Sequence, residues 1–170
     1  MAVQRNTLYI FAGLPGSGKS TVAQLLSQHL GCTYLRIDTI EQGLRDLCDV
    51  AVEGEGYAMA YRIAADNLKN GQDVIADSCN PIQLTRDAWV DVARSLECDF
   101  RNVEVICSDA NEHRSRVEGR TVNVPNLVLP DWEKVVNREY HPWHIERIVL
   151  DTAGVAPEAS LASLLESLGE

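Results

Sequence analysis

The segment over residues 13–20 constrains this chain more than any other feature. It reads Gly-Leu-Pro-Gly-Ser-Gly-Lys-Ser, which satisfies the pattern G-x-x-x-x-G-K-[ST] at Gly13, Gly18, Lys19 and Ser20. Glycines let successive backbone N–H groups point inward, and a following helix adds the partial positive charge of its N-terminus. An apolar run precedes the loop, and apolar positions at helical spacing follow it. The segment therefore predicts a phosphate-binding loop between a strand and a helix.

The same pattern assigns chemistry to individual residues. Lys19 is expected to reach the β- and γ-phosphates of a nucleoside triphosphate, and the Ser20 hydroxyl to ligate Mg²⁺. The predicted nucleotide-binding residues of this segment are Gly13, Leu14, Pro15, Gly16, Ser17, Gly18, Lys19, Ser20 and Thr21. No N-K-x-D sequence that would read guanine occurs in the chain, so ATP is the expected nucleotide.

Hydrophobic patterning along the rest of the chain predicts alternating strands and helices. Strands are expected over residues 7–12, 33–37, 73–76, 100–107 and 145–150. Helices are expected over residues 19–30, 39–47, 57–70, 84–96, 109–120, 131–140 and 157–168. Gly31 is the expected C-cap of the first of these helices, and Asp109 is the expected N-cap of the helix that runs to about Arg120. Residues 49–56, with two glycines and two glutamates, are expected to form a mobile loop. Five strands alternating with helices predict an α/β fold with a five-stranded parallel sheet.

Composition and charge limit the partners of this chain. Its 170 residues suit one domain over residues 1–170. Fifteen Lys and Arg against 25 Asp and Glu give a net charge of -10, which disfavours nucleic acid and anionic membranes as partners. Residues 1–6 lack the features of a signal peptide, and no apolar stretch approaches the roughly 18 residues of a membrane span. We expect a cytoplasmic protein, either monomeric or homodimeric.

The five cysteines are odd in number, widely spaced and never arranged as CxxC. This pattern favours buried reduced thiols over a disulfide framework or a zinc site.

Two aspartates stand where predicted strands end. Asp38 follows residues 33–37, and Asp77 follows residues 73–76. Ligands of an open parallel sheet bind beyond the carboxyl ends of its strands. Phosphoryl transfer to an alcohol needs a group that orients or accepts the hydroxyl proton, and carboxylate support for hydrated magnesium. Either aspartate can instead be the N-cap of the helix that follows it.

The order of these motifs resembles that of the P-loop kinases of small molecules, a group that includes adenylate, shikimate, gluconate and adenylylsulfate kinases and chloramphenicol phosphotransferase. The chain looks most like short adenylylsulfate-kinase-like or AAA-like ATP-binding proteins. The resemblance implies a three-layer αβα P-loop NTPase fold with an arginine-containing lid. It also implies that Asp38 orients or deprotonates the acceptor, and that Asp77 holds magnesium together with Ser20.

An arginine-rich segment follows the fourth predicted strand. Arg116 and Arg120 lie four residues apart, and residues 116–120 (RVEGR) resemble the start of the adenylate kinase lid. The resemblance implies that Arg116 flanks adenine and that Arg120 reaches the transferring phosphates, with a lid over about residues 114–135. The alternative is a solvated helix whose arginines pair with Glu112 and Glu118. Apolar side chains follow within the lid, namely Val122, Val124, Leu127, Val128 and Leu129, and predict a lid that folds over a partly apolar acceptor.

The acceptor side departs from the family pattern. Relatives often carry Asp-x-x-Arg at Asp38, but here Glu41 takes the arginine position and Arg45 lies one helical turn further on. Asp38, Arg45 and Asn80 are the predicted acceptor contacts. Thr152, after the last predicted strand, is a predicted adenine contact. Residues 138–144 (REYHPWH) are expected to anchor the lid helix and not to bind a metal.

These features predict an enzyme that transfers the γ-phosphate of ATP to a small-molecule hydroxyl with Mg²⁺. The predicted catalytic residues are Lys19, Asp38, Arg116 and Arg120. A nucleic-acid 5′-hydroxyl kinase is a second reading, which the net charge of -10 disfavours. A third reading is a non-catalytic ATP-binding switch or interaction protein, which loss of the acceptor arginine would favour.

Overall fold

A computed structural model describes residues 5–121 and 123–170. Val122, one of the predicted apolar lid residues, lies outside the described residues. The strands are β1 (Thr7–Ala12), β2 (Thr33–Arg36), β3 (Val74–Asp77), β4 (Asp99–Ile106) and β5 (Ile148–Asp151). The helices are α1 (Lys19–Leu30), α2 (Ile37–Cys48), α3 (Glu55–Lys69), α4 (Gln83–Ser95), α5 (Ala110–Gly119), α6 (Trp132–Val136) and α7 (Pro157–Leu168).

The strands form one parallel sheet in the order β2-β3-β1-β4-β5. The central strand β1 pairs with β3 through Leu8 and Val74, and with β4 through Thr7 and Asp99. Since β1 is covered on both faces, five of its six residues are buried. The predicted α/β fold with five parallel strands is therefore confirmed.

Alternate residues of β1 enter two separate hydrophobic cores. Leu8 and Ile10 pack with side chains of α3 and α4, including Ala64 and the fully buried Trp89. On the opposite face of the sheet, Tyr9 and Phe11 join a second core. That core includes Val22, Ala23 and Leu26 of α1 and Leu164 of α7. This arrangement is the expected αβα sandwich, and it leaves the carboxyl ends of the strands open to a ligand.

Several element boundaries differ from those expected. Asp38 lies in the first turn of α2, one residue past its start, so it is not the N-cap. Asp77 is the last residue of β3 and is buried, so it is not a helix cap either. Helix α5 ends at Gly119, and Arg120 has extended backbone angles. The Arg120 amide still donates a 3.1 Å hydrogen bond to the Arg116 carbonyl, so the chain leaves the helix at Arg120 and not between the two arginines.

Other boundaries follow the sequence closely. Asp109 caps α5 as predicted, since its carboxylate accepts hydrogen bonds from the Asn111 and Glu112 amides. Helix α6 departs from the expected helix over residues 131–140, since it is only five residues long, and its N-cap is Asp131. All five cysteines are free thiols, but Cys48 is exposed, which corrects the expectation that all are buried. Among the described residues, no helix is both long enough and apolar enough to cross a membrane.

Candidate functional site

The loop between β1 and α1 is shaped by close backbone approaches. A Cβ atom at Gly13 would lie 2.3 Å from the Val105 carbonyl oxygen, and one at Gly16 would lie 2.5 Å from Cγ2 of Val117. Both glycines also have positive φ angles, of 150° and 83°. The Gly13 amide donates a 3.1 Å hydrogen bond to the Cys79 carbonyl. Only glycine fits these two positions, so the loop is held tightly between β4, α5 and the end of β3.

Beneath the loop, Lys19 forms an ion pair with Asp77. The Asp77 side chain is fully buried, and its second carboxylate oxygen accepts a 2.5 Å hydrogen bond from the Tyr34 hydroxyl. Burial raises the pKa of Asp77, but the Lys19 charge and hydrogen bonds from Lys19, Tyr34 and Ser20 outweigh it, so the pKa lies below its ordinary value. The Tyr34 hydroxyl has a raised pKa because of burial and the Asp77 charge. Asp77 is therefore ionised, and it holds the Lys19 ammonium at the base of the loop.

Ser20 and Asp77 supply oxygen donors next to each other. The Lys19 ammonium donates a long 3.4 Å hydrogen bond to the Ser20 hydroxyl, and Asp77 contacts the same ammonium. Mg²⁺ prefers oxygen ligands and keeps several waters when it binds through one or two protein groups and substrate phosphates. A hydroxyl and an ionised carboxylate fit that ion. In the described part of the chain, no three His, Cys, Asp or Glu side chains cluster in a way that could hold a metal.

A cleft of about 1160 Å³ opens beside the loop at the carboxyl edge of the sheet. It is larger than the roughly 300–1000 Å³ typical of single-ligand sites, and it is lined by residues from both sides of the sheet edge. The predicted site residues that line it are Gly13, Leu14, Pro15, Gly16, Gly18, Lys19, Ser20, Thr21, Asp38, Arg45, Arg116, Arg120 and Thr152.

Three predicted site residues do not line the cleft. Ser17 is buried under the loop, and its carbonyl accepts a 2.7 Å hydrogen bond from the Thr152 hydroxyl. Asp77 lies behind Lys19. Asn80 is fully buried, with a left-handed backbone, and its carbonyl accepts a hydrogen bond from Arg86. The structure therefore places Asn80 in the packing behind the cleft and not on its surface, which corrects the prediction that it contacts the acceptor.

Arg116 fastens α5 to the loop that follows β5. Its guanidinium donates to the Thr152 hydroxyl at 2.7 Å and to the Thr152 carbonyl at 2.8 Å. It also pairs with Glu112 at 2.5 Å, and the second Glu112 oxygen accepts from the Gly154 amide. Nearby, a ring nitrogen of His113 lies 2.9 Å from the Pro15 carbonyl. Arg116 thus lies at the cleft in a fixed position, between the phosphate-binding loop and the loop after β5.

The alternative reading of the lid arginines is correct in part. Arg114 pairs with Glu118 at 2.8 Å on the exposed face of α5, and Arg116 pairs with Glu112. Arg120 pairs with neither glutamate. Burial is the main cause that lowers its pKa, the Asp38 charge is the next largest influence and raises it, and the charges of Arg36 and Arg138 lower it further. Arg120 therefore belongs to the cleft and not to the solvated face of the helix.

The opposite wall of the cleft is built by α2 and its contact with α3. Glu41 pairs with Arg45 at 3.3 Å, and a Cβ atom at Gly56 would lie 2.2 Å from Cγ of Glu41. Burial raises the pKa of Glu41, and the Arg45 charge partly offsets this. Glu41 stands at the position where relatives often carry an arginine. It is therefore packed in the contact between α2 and α3, and its carboxylate pairs with Arg45.

Two cleft arginines were not predicted to be site residues from the sequence. Arg36 ends β2 and donates a 2.6 Å hydrogen bond to Asn123 of the lid segment. Arg138 follows α6 and also lines the cleft. Arg36 is far from Arg120 in the sequence, and Arg138 is far from Asp38. Only the folded chain therefore brings these cleft residues together. An arginine near the end of a predicted strand, two residues before a candidate site aspartate, was the available signal for Arg36.

Arg86 is a buried arginine that sequence patterning also missed. It is fully buried and donates hydrogen bonds to the carbonyls of Asn80, Pro81, His141 and Pro142. Its guanidinium lies 4.0 Å from the centre of the Trp143 ring. The segment after α6 is thus anchored on α4 through Arg86, and His141 takes part in this packing.

Comparison with known proteins agrees with this architecture. The family model described as AAA domain matches residues 8–138. A bifunctional polynucleotide phosphatase/kinase of Schizosaccharomyces pombe is 26% identical over 106 residues, which are 62% of this chain and 22% of that protein. Adenylate kinase 1 of Nostoc sp. is 26% identical over 85 residues, which are 49% of this chain and 45% of that protein. The matched region thus spans less than half of either relative.

Solved structures share the whole fold at low identity. An APS kinase of Mycobacterium tuberculosis in complex with AMPPNP and APS has a TM-score of 0.68 and 20% identity, covering 98% of this chain and 99% of that one. Kti12 of Chaetomium thermophilum in complex with ADP-AlF3 has a TM-score of 0.67 and 22% identity, covering 95% and 97%. A sugar kinase of Janibacter sp. has a TM-score of 0.69 and 15% identity, covering 97% and 95%.

The resemblance to P-loop kinases is confirmed at the level of family and fold. The chain belongs to the P-loop family described as AAA domain, and its fold is that of the P-loop kinases.

Proposed function

We propose that this protein is an ATP-dependent phosphotransferase that moves the γ-phosphate of ATP to a hydroxyl group of a small molecule. One observation carries the proposal. The phosphate-binding loop with Lys19 and the exposed carboxylate of Asp38 line the same cleft, which is large enough for two substrates. A site that only bound nucleotide would not need a carboxylate on the far wall.

The nucleotide half of the cleft is built from the loop backbone. The amides of residues 13–20 and the N-terminus of α1 suit a triphosphate, and Lys19 adds a full positive charge. Arg116 and Thr152 border the same region and are proposed to flank the adenine. The M. tuberculosis APS kinase was solved with AMPPNP, which supports a nucleotide at the equivalent place.

Mg²⁺ is proposed to bind between Ser20, Asp77 and the phosphates. When bound, it would neutralise charge on the β- and γ-phosphates. Asp77 is suited to hold its water ligands because the carboxylate stays ionised although it is buried.

Transfer of the γ-phosphate is proposed to use side chains on both walls of the cleft. The acceptor hydroxyl oxygen attacks the γ-phosphorus, the bond from that phosphorus to the bridging oxygen breaks, and ADP leaves. The hydroxyl proton passes to Asp38, which is exposed to the cleft. Lys19 and Arg120 supply positive charge on either side of the transferring group.

The test is to incubate the purified protein with γ-labelled ATP and Mg²⁺ against pools of nucleosides, sugars, antibiotics and adenylylsulfate. Labelled product in any pool supports the proposal, and a Lys19→Ala variant should abolish it. Lys69→Ala is the matched control, because Lys69 is exposed at the end of α3 and does not line the cleft. Activity that survives the loss of Lys19 would contradict the proposal.

A second candidate function has one observation in its favour. The S. pombe relative is described as a polynucleotide phosphatase/kinase, so a 5′-hydroxyl oligonucleotide belongs in the same assay. Label on the oligonucleotide alone would select that reading. Tight ATP binding without transfer to any acceptor would instead support a nucleotide-dependent switch. A cytoplasmic location and a monomeric or homodimeric state remain predictions from the sequence.

A further inference from the structure

We propose that the acceptor carries an anionic group, such as a phosphate, sulfate or carboxylate, in addition to the hydroxyl that is phosphorylated. Arg36 and Arg138 would bind this group, with Arg120 between it and the transferring phosphate. The inference rests on the proposed phosphotransfer function and names the chemical class of its second substrate.

Unpaired guanidinium donors are the first support. Among the described residues, Nε and Nη2 of Arg120 and Nε of Arg36 are buried and have no hydrogen-bond partner. Buried charged donors without partners are unfavourable, and nearly all such groups in folded proteins are satisfied by a protein group, water or ligand. Both side chains line the cleft, so a ligand there can supply the missing oxygen atoms.

The local charge balance is the second support. The acceptor side of the cleft holds four guanidinium groups and two carboxylates, namely Arg36, Arg45, Arg120, Arg138, Asp38 and Glu41. Glu41 pairs with Arg45 and also lies within the field of Arg138, so among the described residues four guanidinium groups face two carboxylates on this side. Arg120 lies within the field of this group: burial is the main cause that lowers its pKa, the Asp38 charge raises it, and the Arg36 and Arg138 charges lower it further. A ligand with one or two negative charges would balance this excess.

The position of the arginines separates this anion from ATP. On the nucleotide side, Arg116 is already held by Glu112 and Thr152, and Lys19 by Asp77. Arg36 instead ends β2, two residues before Asp38, and its hydrogen bond to Asn123 brings the lid segment over that side. The unpaired donors therefore lie next to the proposed base, where the acceptor binds. Planar guanidinium groups bind phosphate, sulfate and carboxylate oxygens in pairs.

The decisive experiment uses inorganic sulfate as the probe. The wild-type protein is first saturated with AMPPNP and Mg²⁺, which fills the phosphate-binding loop, and sulfate is then titrated calorimetrically at constant ionic strength. We expect one sulfate to bind. Arg36→Gln and Arg138→Gln should each weaken it by about tenfold or more, the effect of losing a charge-assisted hydrogen bond. Arg62→Gln is the matched control, because Arg62 is exposed on α3 outside the cleft.

The outcomes separate this inference from the proposed function. If AMPPNP fails to bind, the ATP-dependent function itself is wrong. If AMPPNP binds but sulfate does not, or if sulfate binds both arginine variants as tightly as wild type, only the anionic acceptor is wrong. Thermal unfolding of each variant checks its folding, and Arg138 is exposed, so its replacement leaves the core intact.

A second arm identifies the anion. Alcohols are tested as acceptors in matched sets that are uncharged or carry a phosphate, sulfate or carboxylate. Transfer to a charged member and not to its uncharged counterpart supports the inference, and the preferred member names the group. Transfer restricted to uncharged alcohols would overturn it. If none of the alcohols is phosphorylated, the sulfate titration alone decides whether the acceptor side of the cleft binds an anion.

Discussion

At the scale of single residues, Asp77 shows how one buried charge organises the site. Its fully buried carboxylate contacts both the Lys19 ammonium and the Tyr34 hydroxyl. An isolated carboxylate there would be strongly unfavourable, so the pair with Lys19 is what allows the charge to be buried. The same pair holds Lys19 where the glycine loop needs a cation.

The lowered pKa of Asp77 predicts a pH dependence of stability. Because the folded-state pKa lies below the unfolded one, Asp77 stabilises the fold above about pH 4, and this contribution is lost as the pH falls through the folded pKa. The free energy of unfolding should therefore fall more steeply below about pH 4 in the wild type than in Asp77→Asn. Denaturant unfolding at a series of pH values measures this. Asp91→Asn, an exposed change on α4, should keep the wild-type slope, and equal slopes in all three proteins would refute the assignment.

The proposed base gives a second prediction at this scale. Asp38→Asn keeps the size of the side chain but cannot accept the hydroxyl proton, so kcat should fall about 10²- to 10⁴-fold. ATP affinity should be unchanged, because Asp38 lies on α2 and not on the phosphate-binding loop. Initial rates and calorimetry separate the two effects, with Asp91→Asn again as control. An equal loss of rate and ATP affinity would speak against the role of base.

At the scale of elements, the acceptor wall depends on how closely α2 and α3 approach. Gly56 is buried in the first turn of α3, where a side chain would collide with Glu41 of α2. Glu41 in turn holds Arg45 at the cleft. The packing of two helices therefore decides where an arginine of the site stands.

Two glycine substitutions in these helices should have opposite effects. Gly56→Ala places a Cβ atom 2.2 Å from Cγ of Glu41 and should lower the free energy of unfolding by about 1–3 kcal/mol. Gly43→Ala, in the interior of α2 with nothing within 4 Å, should raise it by about 0.5–1 kcal/mol. Denaturant unfolding compares the two variants with the wild type. A Gly56→Ala protein as stable as Gly43→Ala would show that Glu41 moves aside freely.

At the scale of the whole molecule, Arg86 connects the body of the fold to the segment carrying Arg138. It has no carboxylate partner among the described residues, and its charge is satisfied by four carbonyl groups and the Trp143 ring. Two of these carbonyls belong to residues more than 50 positions further along the chain. Helix α4, the turn after β3 and the segment after α6 are thus joined at one buried point.

Removing this connection should destabilise the protein as a whole. Arg86→Ala leaves the carbonyls unpaired and opens a cavity, so the free energy of unfolding should fall by about 3–5 kcal/mol, equivalent to roughly 6–20 °C in Tm. Calorimetry measures the change. Arg94→Ala, an exposed arginine on the same helix, should shift Tm by only a few degrees at most. Similar Tm values for the two variants would mean that Arg86 is not the anchor described.

The sequence by itself determined the phosphate-binding loop, the alternation of strands and helices, and the caps at Asp109 and Gly31. Each of these is recorded in residues that are neighbours along the chain, because loop conformation, periodicity and capping are local. It also singled out Asp38, at the end of a predicted strand, and Arg120, in the RVEGR segment, and the structure places both at one cleft.

Only the tertiary structure decided which side chains meet. It moved Asn80 from the predicted acceptor site into the packing behind it, and it buried Asp77 between Lys19 and Tyr34. It also brought Arg36, Arg120 and Arg138 into one cluster although they come from three separate segments. The physical reason is that burial and charge neighbourhood depend on contacts between residues far apart in the chain, which no local pattern records.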